Sequence, residues 1–143
     1  MNRRDVHRFD RLHHVRAVEE QRSRQDLMAA HDRLRAASQA RDVARADANQ
    51  SAAMGVRDLA LFRTELMVGA LRNERLQAAQ DKVTAAESAV VAAHALWTVA
   101  ARRVQGLDKL VERRRETLRA EELSAESREN EDLFLARRAM GWA

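Results

Sequence analysis

The chain has 143 residues, 26 basic and 22 acidic side chains, a net charge of +4, no proline, no cysteine and 3% aromatic residues. Alanine, arginine, glutamate and leucine dominate, which suits long helices and coiled coils rather than a sheet and leaves few large apolar side chains for a thick globular core; a compact helical bundle is the alternative. The missing cysteines exclude a disulfide framework and thiol chemistry, and the interspersed charges describe a solvated helical surface.

Met1–Asp10 carries charge with no apolar run behind it, so no signal peptide is expected. Residues Val6 to Gln50 contain neither glycine nor proline and read as helix one, about 65–70 Å long at ~1.5 Å per residue. One heptad frame collects Val6, Phe9, Leu27, Ala30, Leu34, Ala37, Ala44 and Ala48, with Arg41 the exception. Between Phe9 and Leu27 the frame offers only His13, Arg16, Glu20 and Ser23, while the apolar Leu12, Val15 and Val18 fall off it. The run Glu19 to Asp26, which has no apolar residue, reads either as loose, solvated helix or as a polar network across an interface; charge runs favour the first.

Ser51–Asp58 is the best break, with Gly55 inside it and Asp58 placed to cap a new helix. A dense apolar cluster follows, from Leu59 through Phe62 and Leu66 to Leu71, interrupted by Gly69 and Asn73. From Leu76 onward an apolar residue recurs every seventh position: Leu76, Val83, Val90, Trp97, Val104, Val111 and Leu118. A second row sits three residues after each of the first five: Ala79, Ala86, Ala93, Ala100 and Leu107. A 3,4 spacing over this length is a coiled-coil seam. The alanine row buries little area, so the helix needs a partner helix for stability. The longest uncharged run, Ser88–Ala101, has fourteen residues against the roughly 20 of a membrane span, and it fits the seam.

Two positions for the chain turn compete. A turn at Gly55 gives arms of unequal length. A broad apex over about residues 51–75, with a short helix at Leu59–Val68, sets seam on seam: Leu27 with Leu118, Leu34 with Val111, Ala44 with Ala100 or Ala101, and Ala48 with Trp97. It also brings Phe9 near Leu133, Phe134 and Leu135. The second alignment is preferred on register. The expected fold is therefore all-α: one antiparallel two-helix coiled-coil hairpin, with helix one at about 6–50, the apex at about 51–75 and helix two at about 76–138.

Beyond the seam, residues 102–119 hold seven basic and three acidic side chains, and residues 120–132 hold one basic and six acidic. This block polarity exceeds what i,i+4 surface pairing requires and suits docking to a charged partner. Arg137, Arg138 and Gly141 mark the helix end.

No phosphate-binding glycine loop, zinc-protease motif or nucleophile–base pair is present, so no catalytic residue, cofactor, metal or small-molecule substrate is expected. His13 and His14 point ~100° apart on a helix and cannot chelate together; His94 beside Trp97 reads as packed or surface. The Arg113–Arg115 triplet is flanked by acids and lacks aromatic residues for base stacking, so nucleic acid is not an expected partner.

Four patterns stand out together: Phe9-x-x-Leu12-x-x-Val15-Arg16 with Glu19-Glu20, the small-residue break near Gly55 before Phe62-x-x-x-Leu66, Trp97 with Lys109-Leu110 and Arg113, and Glu131-Asp132 ahead of Ala136-Arg137. In this order they resemble the flagellar export protein FliJ family. Leu133 stands where that family usually carries a further acid. The resemblance covers nearly the whole chain, by the order and spacing of individually short motifs. It implies a non-enzymatic stalk of the bacterial type III export apparatus, cytoplasmic and peripherally associated with the inner face of the membrane at the flagellar base. The implied partners are the export ATPase ring, the membrane export gate and export chaperones; injectisome stalk proteins are similar in shape and role.

On that reading, Arg102, Arg103, Arg113, Arg114, Arg115, Arg119, Glu121 and Asp132 steer one end into the ATPase ring. Phe9, Leu12, Leu133 and Leu135 serve there as apolar anchors. Leu59, Phe62, Leu66 and Asn73 either face the export gate or pack the apex on itself. The hairpin is expected to be a monomer alone; a homodimeric scaffold, with the seam closed between two chains, is the alternative.

Overall fold

The computed structural model describes residues 3–52 and 58–141, with side chains described for residues 7–50 and 58–141. The described chain is all-helical: α1 spans Arg3–Ala52 and α2 spans Leu59–Ala139, 50 and 81 residues long. Gly55 and the centre of the expected break lie outside the described residues, as does the side chain of Val6.

The start of α2 follows from its cap. The Asp58 carboxylate accepts the Ala60 N–H at 3.4 Å, and the Asp58 carbonyl accepts the Phe62 N–H at 2.9 Å. One of the N–H groups left unsatisfied at a helix start is thereby engaged. At the far end Gly141 takes a left-handed conformation, φ 74°, where a side chain would strain the backbone. The hydroxyls of Thr64, Thr84, Thr98 and Thr117 each donate to the carbonyl four residues earlier, so these β-branched residues satisfy their polar atoms inside the helix.

The broad apex is overturned. Helix α2 begins at Leu59 and runs unbroken through Gly69, Asn73 and Leu76. One glycine in a helix interior costs about 1 kcal/mol against alanine, too little to end a helix that gains packing beyond it.

Contacts divide the chain into two compact units, Val18–Ala101 and the pair of segments Met1–Ala17 with Arg102–Ala143. In the first unit the two long helices pack against each other in opposite directions. The Trp97 indole N–H donates to Glu20 at 2.8 Å, and an Arg72 guanidinium N–H donates to the Asp47 carbonyl at 3.5 Å. Advancing 27 residues along α1, from Glu20 to Asp47, thus retreats 25 along α2, from Trp97 to Arg72.

This register contradicts the expected pairing of Ala48 with Trp97. Glu20 and Ala48 are 28 residues apart in the sequence, about 42 Å along α1. The difference has a physical cause. A seven-residue repeat matches itself after every heptad, and an alanine row distinguishes such shifts weakly. Where the helices end and begin limits it instead: α1 runs to Ala52 and α2 starts at Leu59, and the Glu20–Trp97 and Asp47–Arg72 bonds fit the resulting register.

The core is thin. The buried residues are Ala30, Ala79, Val83 and Ala100. Within this unit both expected rows of α2 are at least half-buried: Leu76, Ala79, Val83, Ala86, Val90, Ala93, Trp97 and Ala100. On α1 the same holds for Leu27, Ala30, Leu34, Ala37, Ala44 and Ala48. Arg41, the break in the α1 row, is half-buried as well.

In the second unit His13 Nε2 lies 2.7 Å from Asp108 Oδ1. Val104, Leu107, Val111 and Leu118 are half-buried there, whereas Arg114 is exposed. Every described residue after Leu118, through Gly141, is exposed.

Candidate functional site

The polar frame residues of α1 depart from expectation. His13, Arg16, Glu20 and Ser23 are all half-buried at heptad positions, while Leu12, Val15 and Val18 are exposed. Within residues 19–26, Glu19, Glu20 and Ser23 are half-buried and the other five residues are exposed. The heptad spacing holds even where the side chains are polar, because α2 offers matching partners in the Trp97 indole and the Asp108 carboxylate. His94 leans on the same indole, ring centroids 5.8 Å apart at 58°.

The residues expected to bind the ATPase are exposed, with one group displaced. Arg102, Arg103, Arg113, Arg114, Arg115, Arg119, Glu121 and Asp132 all lie on the surface of α2, and Arg115 pairs with Glu112 only loosely at 3.9 Å. Phe9 and Leu12 are about two-fifths exposed, Leu133 and Leu135 about three-fifths. The four apolar anchors do not converge. The His13–Asp108 contact sets Phe9 opposite the neighbourhood of Glu112, so Leu133 lies about 30 Å farther along α2. The expected neighbourhood of Phe9 with Leu133, Phe134 and Leu135 is thus corrected: it followed from the overturned register.

The terminal stretch of α2 nonetheless carries an apolar surface of its own. Leu123, Leu133, Phe134, Leu135 and Met140 are exposed, and Leu123, Ser127, Asn130 and Phe134 line a shallow depression on the side of this one helix. The depression is open to solvent.

A second surface lies at the start of α2. Leu59, Leu61, Phe62, Leu66, Met67, Val68 and Leu71 are exposed, with Asn73 beside them. Within the cluster Val68, Phe62 and Leu71 are the least exposed, and on this helix Glu65, Gly69 and Arg72 are half-buried before Leu76. An exposed apolar cluster of this kind is a candidate docking surface.

By length and composition α2 is apolar enough to cross a membrane. Within its uncharged run, Val90, Ala93, Trp97 and Ala100 are at least half-buried, so that side is taken by protein. Among the described residues, no group of three or more His, Asp or Glu could hold a metal ion.

Comparison with protein-family models, curated proteins and solved structures finds no match.

Proposed function

We propose that this chain is a non-enzymatic stalk of a bacterial type III export apparatus, of the flagellar export kind, built as an antiparallel coiled-coil hairpin. It binds the export ATPase ring through the charged terminal half of α2, promotes ring assembly and ATP hydrolysis, and reaches the export gate and chaperones from the cytoplasmic face of the membrane. The observation that carries this reading is the stretch of α2 after Leu118. It is exposed throughout, opens on a block with six acids in residues 120–132, and follows directly on seven basic residues in 102–119. A helix with exposed, oppositely charged blocks is suited to a ring of complementary charge, which steers association before apolar residues such as Leu133 and Leu135 dock.

On this reading the apolar anchors act as two contacts. Phe9 and Leu12 belong with the basic block near Arg113, and Leu133 and Leu135 form a separate contact farther along α2. The exposed surface at Leu59, Phe62 and Leu66 is the second docking site, assigned to the gate. Co-elution with the export ATPase of the same organism tests the proposal: a complex that forms with the full chain and is lost when residues 119–143 are removed supports it, and no complex at all contradicts it.

A further inference from the structure

The end of α2 is held differently from the rest of it. Half-buried seam positions recur up to Leu118, and from Arg119 through Gly141 every described side chain is exposed. Helical stability in proteins comes mostly from packing one face of the helix. Local opening is easiest where the backbone hydrogen bonds have only solvent around them. Residues 119–141 therefore depend on interactions within their own helix.

In the middle of the stretch those interactions are unfavourable. Glu122, Glu126, Glu129 and Asp132 follow one another at spacings of four, three and three. On a helix they form a stripe along one side, with neighbouring Cβ atoms about 5–6 Å apart, and like charges at these spacings destabilise the helix. The one base in residues 120–132, Arg128, donates to the Ser124 hydroxyl at 3.2 Å. Among the described residues no ion pair joins any of the four carboxylates to a base. Glu126 is central, with Glu122 one turn before it and Glu129 one turn after. Glu121 differs: at the same spacings it meets Thr117, Leu118, Ser124 and Ala125, none of them charged. The ends of the stretch are better supported. Leu118 is half-buried in the seam, and Arg137 and Arg138 stand in the last turn, where cations complement the helix dipole.

We propose that residues 119–141 form a conditional helix, which opens to coil and recloses as a unit of its own while the hairpin stays paired, with the carboxylate stripe setting the balance. A partner that neutralises the stripe closes the helix as it binds, so ordering of the stretch is part of that binding. The inference does not rest on the stalk reading, because the opening is a property of the chain alone.

Amide hydrogen exchange of the full chain, with no ATPase present and at two protein concentrations, tests the proposal. Amides of residues 120–139 are expected to exchange at least about tenfold faster than those of the seam between residues 76 and 100. Glu126→Arg replaces two repulsions by two attractions and is expected to slow exchange across residues 120–136 by about threefold or more, with the seam amides unchanged. Glu121→Arg makes the same change of charge without a charged neighbour one turn away and is expected to leave exchange at the wild-type rate. Exchange in the terminal stretch as slow as in the seam overturns the proposal, as do equal effects of the two substitutions. Protection that rises with protein concentration overturns it in favour of a second copy covering the stretch.

Discussion

The Trp97 indole donates its N–H to the Glu20 carboxylate at 2.8 Å, joining the largest side chain of the α2 seam to an acid at a seam position of α1. Two residues 77 apart in sequence are thereby joined across the helix pair. An apolar seam rich in alanine stabilises many heptad-shifted alignments almost equally; a directional bond to a charged acceptor stabilises one.

Removing that bond should be felt. Trp97→Phe leaves a half-buried carboxylate without its donor and is expected to cost about 1–3 kcal/mol. Pairing it with Glu20→Leu, which removes the acceptor and adds apolar surface, is expected to recover part of the loss. Thermal unfolding followed by circular dichroism, arranged as a double-mutant cycle, measures the coupling. Equal melting temperatures for wild type and Trp97→Phe would show that the bond does not stabilise the fold.

The register itself can be read by cross-linking, since the chain has no cysteine of its own. Ala48→Cys with Arg72→Cys is expected to cross-link with a short bis-maleimide. Ala48→Cys with Trp97→Cys is expected not to, because 25 residues of α2 separate Arg72 from Trp97, roughly 37 Å of helix. Efficient cross-linking of the second pair alone would restore the broad-apex alignment.

The glycines of α2 and its end predict opposite effects. A Cβ at Gly106 would meet nothing within 4 Å, so Gly106→Ala is expected to stabilise the helix by about 0.5–1 kcal/mol. Gly141 sits at φ 74° with open space around it, so Gly141→Ala is expected to strain the cap and fray the last turn while leaving the main melting transition in place. Amide hydrogen exchange of the final turn, alongside the melting temperature, distinguishes the two.

The facing positions of both helices were legible in the sequence. The rows through Leu27 and Leu34 on α1, and through Leu76, Val83, Val90 and Trp97 on α2, are the less exposed positions, because a 3,4 spacing directs one side of a helix whatever its partner. The Asp58 cap was legible for the same local reason. The alignment was not, because it depends on pairs such as His13 with Asp108 that have no signature in either helix alone. The broad apex and the grouping of Phe9 with Leu133 both followed from that alignment and fall with it. The exposure of the Leu59–Leu71 cluster was equally beyond sequence: an apolar run reads alike whether it packs on itself or awaits a partner.

The apolar start of α2 gives a test of that last point. Phe62 is nearly half exposed, so Phe62→Ala is expected to destabilise the fold far less than the roughly 3–5 kcal/mol lost with a core phenylalanine. Binding to the cytoplasmic part of the export gate is expected to fall in the same variant. A large drop in melting temperature would return the cluster to the fold's own packing.

Charge reversal at Arg113, Arg114 and Arg115 is expected to weaken ATPase binding, and to do so most at low ionic strength, where exposed charges are least screened. The helicity of the chain should not change, since all three side chains are exposed. Binding by the reversed variant equal to wild type would remove the basic block from the contact.

The measurement that bears most directly on the stalk reading is ATP hydrolysis by the export ATPase of the same organism, with and without this chain, at two salt concentrations. Stimulation of hydrolysis together with ring assembly, both weakening as salt rises, is the predicted result. An ATPase whose rate and oligomeric state are indifferent to the chain at either salt concentration would contradict it.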